Sequence, residues 1–197
     1  MNKKTAYLVL GAESSCTRFI TNCLIKAGCS GKTWNDNHEQ AIDFEEPTDD
    51  LIVWRRSYPH KWDKPNDYPY IIKDTIGWPD TDAMYERLID LDYEVKVVVT
   101  TRDWFVTSMS GVNKKFRPHT NTLPKAYDNT QKSYKRIFSF INKYDLDYIV
   151  VSYESLIVSG EDYLNQMLDL LELDRISDVG FRDEIVNTIT NNIDIKL

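Results

Sequence analysis

The first 28 residues predict a strand, a turn and a helix in direct succession, and this order constrains the fold more than any other feature. Residues 7–10 are an apolar run of strand-forming residues that ends at Gly11, which is typical of a buried strand. After the turn, apolar residues recur at helical spacing, at Ile20, Cys23, Leu24 and Ala27. Gly28 follows as a helix stop signal. A strand followed by an amphipathic helix is the building block of a parallel α/β sheet.

The turn between this strand and this helix has the composition of an anion site. Three hydroxyl residues, Ser14, Ser15 and Thr17, lie in it. Arg18 adds a fixed positive charge in the first helical turn, and its planar fork fits a phosphate or a sulfate. Loop amides and the helix dipole favour an anion at such a helix start. The Gly-Lys-Ser/Thr ending of an ATP-binding P-loop is missing, because Cys16, Thr17 and Arg18 stand in its place. An ordinary strand-to-helix connection is therefore the alternative.

The rest of the chain alternates predicted strands with predicted helices. Residues 95–101 are the clearest strand, because β-branched residues fill it almost throughout, as in a central parallel strand. Shorter strands are predicted at 51–54, 70–72 and 148–152. Helices are predicted after Pro79, from Trp104 to Gly111, from Pro124, across 164–171 and around 181–189. The alternation predicts a three-layer α/β fold, with a mostly parallel β-sheet flanked by helices and ligands at the carboxyl ends of the strands.

Length and composition favour one folded domain. With 197 residues, of which 42% are apolar, a single domain spanning residues 1–197 can bury a sizeable core. No run approaches the roughly 20 apolar residues that cross a membrane. The net charge of −7 argues against a nucleic-acid partner, so local positive groups must hold any anionic ligand. The three cysteines do not suggest a disulfide framework, and we expect a reduced, cytoplasmic setting.

Three segments, all at the predicted carboxyl edge of the sheet, resemble motifs of the sulfotransferase family. Residues 11–19, Gly-Ala-Glu-Ser-Ser-Cys-Thr-Arg-Phe, resemble its 5′-phosphosulfate loop. Residues 98–103, with Ser110 eight positions after Arg102, are similar to its 3′-phosphate motif. Residues 150–156, which contain Tyr153-Glu-Ser-Leu, are similar to its Tyr-Glu-Asp-Leu segment. The segments follow the family's order, so the chain resembles a divergent small sulfotransferase with a P-loop NTPase-like fold.

The resemblance implies a co-substrate and a set of binding residues. The donor would be 3′-phosphoadenosine 5′-phosphosulfate, and its sulfuryl group would pass in line to the hydroxyl of a small-molecule or carbohydrate acceptor, without a metal. Residues of the loop would hold the 5′-phosphosulfate group: Ser14, Ser15, Cys16, Thr17, Arg18 and Phe19. Arg102 and Ser110 would clamp the 3′-phosphate, and Tyr153 would reach the adenine. The physical chemistry agrees, since arginine forks bind phosphate oxygens bidentately.

The sequence departs from the family pattern in the loop. Many members carry Lys or Arg where Ser14 stands, and a glycine where Cys16 stands. We therefore expect Cys16 to adopt a backbone angle that a non-glycine residue tolerates. The missing positive charge could come from Arg18, which we favour, or from three residues outside the loop, Arg55, Arg56 and Lys73. The strand predicted at 51–54 is expected to end before Arg55, which would lie in the loop that follows.

The general base and the function class are less constrained. Asp74, at the expected end of the strand at 70–72, and His60, in a proline-rich stretch, are the candidates to take the acceptor proton. Two other functions stay open at this point. One is a P-loop phosphotransferase similar to nucleotide kinases, against which the missing Gly-Lys-Ser/Thr weighs. The other is a non-catalytic relative that binds a nucleotide or a protein partner.

Overall fold

A computed structural model of the chain describes residues 4–31, 49–58, 81–113 and 121–176. These residues form four strands and five helices. In chain order the elements are β1 (Lys4–Ala12), α1 (Thr17–Lys26), β2 (Leu51–Tyr58), α2 (Thr81–Asp90), β3 (Tyr93–Thr101), α3 (Trp104–Asn113), α4 (Leu123–Tyr144), β4 (Tyr148–Ser152) and α5 (Tyr153–Leu170). Within the described part of the chain, no helix has both the length and the apolarity that crossing a bilayer requires.

The four strands form one parallel sheet in the order β2-β1-β3-β4. β1 therefore lies in the interior of the sheet, between β2 and β3. In this register Gly11 of β1 is opposite Ser57 of β2 on one side and Thr100 of β3 on the other. All four strands end at the same edge of the sheet, which confirms the predicted α/β fold with a parallel sheet.

Helices cover both faces of the sheet. Tyr7 and Val9 of β1 pack in an apolar cluster with side chains of α1 and α5. Leu8 and Leu10 point to the opposite face, where they pack with side chains of α2 and α4. Burial on both faces explains why β1 is a continuous apolar run. Each fully buried side chain of this size contributes about 1.5–3 kcal/mol to stability. The central strand β1 is therefore rigid, and its carboxyl end has a fixed position.

Most predicted elements have the predicted type, but the end of β2 was predicted wrongly. The strand continues to Tyr58, so Arg55 and Arg56 are strand residues and do not lie in a following loop. The cause is pairing with β1, which continues to Ala12 and keeps β2 extended. The side chain of Arg56 is only 5% exposed, and its guanidinium carbon lies 6.0 Å from the centre of the Trp54 ring. The strand predicted at 70–72 and the helix predicted around 181–189 lie outside the described residues.

Candidate anion-binding site

The order of the strands creates a crevice at the carboxyl edge of the sheet, between β1 and β3. The neighbours β2 and β3 lie on opposite sides of β1. The helix that follows β1 covers one face of the sheet, and the helix that precedes β3 covers the other. In open parallel sheets such a reversal of strand order leaves a crevice between the two diverging connections, and ligands bind there. Two connections border this crevice, the β1–α1 turn at residues 13–16 and the β3–α3 connection at Arg102.

Hydroxyl groups at the ends of the neighbouring strands form hydrogen bonds with the β1–α1 turn and the start of α1. The Ser15 Oγ donates to the carbonyl of Ala12 at 2.7 Å and lies 2.9 Å from the Thr100 Oγ1. The Thr17 Oγ1 lies 2.8 Å from the Ser57 Oγ. Between these two pairs is Gly11, where an added Cβ would lie 2.1 Å from the Thr100 Oγ1. The close approach requires glycine at this position, and it gives Ser15 a structural role inside the turn.

The turn contains two strained residues. Ser14 and Cys16 both have positive φ angles, 67° and 78°. Left-handed backbone costs a non-glycine residue roughly 1–2 kcal/mol, and strain of this kind clusters at ligand-binding sites. Cys16 was expected to adopt a backbone angle that a non-glycine residue tolerates, but its φ lies in the left-handed region that favours glycine.

The start of α1 differs from the starts of the two other helices at this edge. The side chain of Asp103 accepts a hydrogen bond from the Val106 amide at 2.9 Å in α3, and the Ser152 Oγ accepts one from the Ser155 amide at 3.2 Å in α5. In α1 the N-cap residue is Cys16, which makes no side-chain cap hydrogen bond, and the first turn has no acidic residue. The N-cap residue of α1 thus provides no side-chain cap of its own at the positive end of the helix dipole.

Arg102 lies across the crevice from this turn and contacts it. Its Nη1 donates to the carbonyl of Ser14 at a long 3.4 Å, and its guanidinium carbon is 4.5 Å from the centre of the Tyr153 ring. Two buried polar atoms, the Arg102 Nε and the Tyr153 hydroxyl, have no hydrogen-bond partner among the described residues. Because Tyr153 is only 6% exposed, its hydroxyl is unpaired deep in the site. Buried donors without partners are rare and call for an explanation; a ligand with several acceptor oxygens is one.

The remaining predicted binding residues lie close by. Ser110 is half-buried on α3, one helical turn beyond Thr107, whose Oγ1 donates to the Arg102 carbonyl at 3.4 Å. Arg18 and Phe19 are half-buried in the first turn of α1, and the Phe19 ring packs against the apolar cluster under α1. The structure therefore brings the β1–α1 turn, the β3–α3 connection and the start of α5 together at one edge. The predicted bases Asp74 and His60, and Lys73, lie outside the described residues.

The Cys16 thiol is not activated as a nucleophile. Burial raises its pKa to about 12, although the positive charge of Arg102 acts in the opposite direction. At neutral pH the side chain is a protonated thiol, and it packs against the same apolar cluster as Phe19. Since only the thiolate attacks electrophiles, the raised pKa argues against Cys16 as a nucleophile.

Three residues of the site were not identified from the sequence. Ser57 was placed in the loop after the strand predicted at 51–54, Thr100 in the strand predicted at 95–101, and Tyr134 on the apolar face of the helix predicted from Pro124. The Tyr134 hydroxyl in fact donates to the Thr100 carbonyl at 3.0 Å. The available signal was a hydroxyl residue at the end of each strand beside β1, because parallel strands end at a common edge.

The fold and the site define a parallel α/β protein with a strained, anion-type turn at its topological switch point. No protein-family model matches the sequence, and no curated protein matches it significantly. Among the described residues, no group of three or more His, Cys, Asp or Glu side chains is placed to hold a metal ion.

Proposed function

We propose that the protein is a sulfotransferase that moves the sulfuryl group of 3′-phosphoadenosine 5′-phosphosulfate to the hydroxyl of a small-molecule or carbohydrate acceptor. One observation carries the proposal: the three segments that resemble the family's donor motifs meet at one crevice, with Arg102 in contact with both the turn at Ser14 and the ring of Tyr153. The two unpaired buried polar atoms there support a ligand rich in acceptor oxygens.

In this proposal the two ends of the nucleotide have separate binding groups. The start of α1 binds the 5′-phosphosulfate through its dipole and through Arg18, which supplies the charge that the family's loop lysine supplies elsewhere. Arg102 binds the 3′-phosphate with its planar fork, and Ser110 adds a hydroxyl donor. Tyr153 lies beside Arg102 and offers its hydroxyl to the nucleoside. A protein with a net charge of −7 depends on such local positive groups to bind a polyanion.

The reaction itself is a displacement at sulfur. A base takes the proton of the acceptor hydroxyl, the acceptor oxygen forms a bond to sulfur, and the bond from sulfur to the 5′-phosphate oxygen breaks. Sulfated acceptor and 3′-phosphoadenosine 5′-phosphate leave. As in phosphoryl transfer, most of the catalysis comes from positioning and from stabilising charge on the leaving oxygen. Asp74 and His60 are the proposed bases.

Thermal unfolding with 3′-phosphoadenosine 5′-phosphate tests the binding part of the proposal. At 100 times its Kd a ligand stabilises by about 2.7 kcal/mol, which raises the Tm of a domain of this size by about 5–10 °C.

Arg102→Ala removes the planar guanidinium fork, and we expect the affinity for the nucleotide to fall on the order of 100-fold, because charge-assisted hydrogen bonds contribute about 1.5–3 kcal/mol each. Arg102→Lys keeps the positive charge without the planar fork, so its affinity for the nucleotide should lie between those of the wild type and Arg102→Ala.

Arg175→Ala is the matched control. Arg175 is an exposed arginine whose Nη2 bonds to Asp169 at 2.6 Å, and its removal should leave the nucleotide shift unchanged. Equal shifts in the Arg102→Ala and Arg175→Ala variants would remove Arg102 from the site. A shift with magnesium ATP in place of the 3′-phosphorylated nucleotide would favour the phosphotransferase, and binding without sulfate transfer to any acceptor would favour the non-catalytic relative.

A further inference from the structure

One phenol reaches the crevice from the opposite face of the sheet. Tyr134 belongs to α4, and its ring packs against the apolar cluster between the sheet, α2 and α4. Its hydroxyl extends past the end of the sheet and donates to the Thr100 carbonyl at 3.0 Å. Thr100 is the residue whose own hydroxyl contacts Ser15 of the turn. The helix on one face is thereby connected to a turn that leads into the helix on the other face.

The same phenol interacts with both borders of the crevice. Burial raises the pKa of Tyr134 to about 12, although its polar surroundings at the turn and at Arg102 favour the ionised form. The contact that connects Tyr134 to both borders is the one with Thr100, whose own hydroxyl lies 2.9 Å from the Ser15 Oγ of the turn and which precedes Arg102 by two residues in the chain. A phenol with this pKa stays protonated at neutral pH and keeps donating to Thr100.

We propose that Tyr134 is a positioning residue, which fixes the β1–α1 turn and Arg102 relative to each other and thereby sets the affinity of the crevice for its anionic nucleotide. The geometric part rests on the contacts of Tyr134, and the ligand rests on the proposed function. The direct contact between the two borders is the long 3.4 Å hydrogen bond from Arg102 to the Ser14 carbonyl. Such a weak bond leaves room for a third group to set their separation.

Tyr134→Phe tests this role, with Tyr7→Phe as the matched control. Tyr7 is also a buried phenol with a pKa of about 12, and it donates to the Leu171 carbonyl at 2.5 Å on the opposite face of the sheet. Each variant loses one hydrogen bond to a backbone carbonyl, which is buried at Tyr7 and part-buried at Tyr134. We expect only Tyr134→Phe to weaken the binding of 3′-phosphoadenosine 5′-phosphate, by about tenfold, the size of effect that one hydrogen bond supports.

Amide hydrogen exchange of the free protein supplies a second readout that needs no ligand. In Tyr134→Phe the exchange of residues 13–19 and 101–103 should accelerate about tenfold relative to the centre of β1, and in Tyr7→Phe it should not. A merely structural role would raise exchange over the whole chain in both variants. Equal turn exchange in the two variants overturns the positioning role. If the wild type binds no nucleotide, the proposed function fails, and the exchange comparison still decides the role of Tyr134.

Discussion

At the scale of single residues, the site depends on positions where ordinary side chains do not fit well. Gly11 accommodates the Thr100 and Ser15 hydroxyls against the end of β1, and Cys16 carries a φ of 78° without being glycine. The importance of the turn was predictable from its residue types. The partners of its hydroxyls were not, since Ser57 and Thr100 reach Thr17 and Ser15 only through the register of three strands.

The strain at Cys16 predicts an order of stability among its variants. Cys16→Ala keeps the left-handed backbone and loses the thiol's packing, so it should be the least stable. Cys16→Gly relieves the strain and should exceed Cys16→Ala by roughly 1 kcal/mol in free energy of unfolding. Urea unfolding of the two variants measures the difference. If the alanine variant is as stable as the glycine variant, the backbone at residue 16 is not strained.

At the scale of elements, regular periodicity made most helices and strands predictable, and the exceptions have local causes. The prediction ended β2 at Trp54 because two arginines follow, yet Arg56 is buried beside the Trp54 ring and pairing with β1 extends the strand. The starts of the helices that border the crevice also differ. α3 and α5 are capped by their own side chains, whereas α1 begins without such a cap.

This difference predicts that a charged cap on α1 weakens the binding of an anion. Asp and Asn have nearly the same size and both tolerate a positive φ. Cys16→Asp places a negative charge at the helix start, which favours the helix dipole but repels an anion about 4–5 Å away by a few kcal/mol. Cys16→Asp should therefore bind 3′-phosphoadenosine 5′-phosphate on the order of 100-fold more weakly than Cys16→Asn.

Calorimetric titration of both variants gives the comparison, and thermal unfolding without nucleotide checks that both variants are folded. Equal affinities would mean that no anion approaches the start of α1. Because Cys16→Asp and Cys16→Asn both lack the thiol, the difference between them measures the electrostatic effect alone.

At the scale of the whole molecule, the arrangement of strands makes the site. The alternation of strands and helices predicted a parallel sheet, but the order β2-β1-β3-β4 was not predicted. That order places the turn after β1 beside the arginine after β3, so a chain of net charge −7 has a positive group in contact with the turn. The order depends on which strands pair with each other. The sequence of a single segment does not specify its partner strand.

The most direct test of the account is a crystal structure of the complex with 3′-phosphoadenosine 5′-phosphate. The account predicts the 5′-phosphate at the first turn of α1, the 3′-phosphate on the guanidinium of Arg102, and the Tyr153 hydroxyl paired with the nucleotide. Nucleotide bound elsewhere, with Arg102 still donating to the Ser14 carbonyl and the crevice occupied only by water, would contradict it.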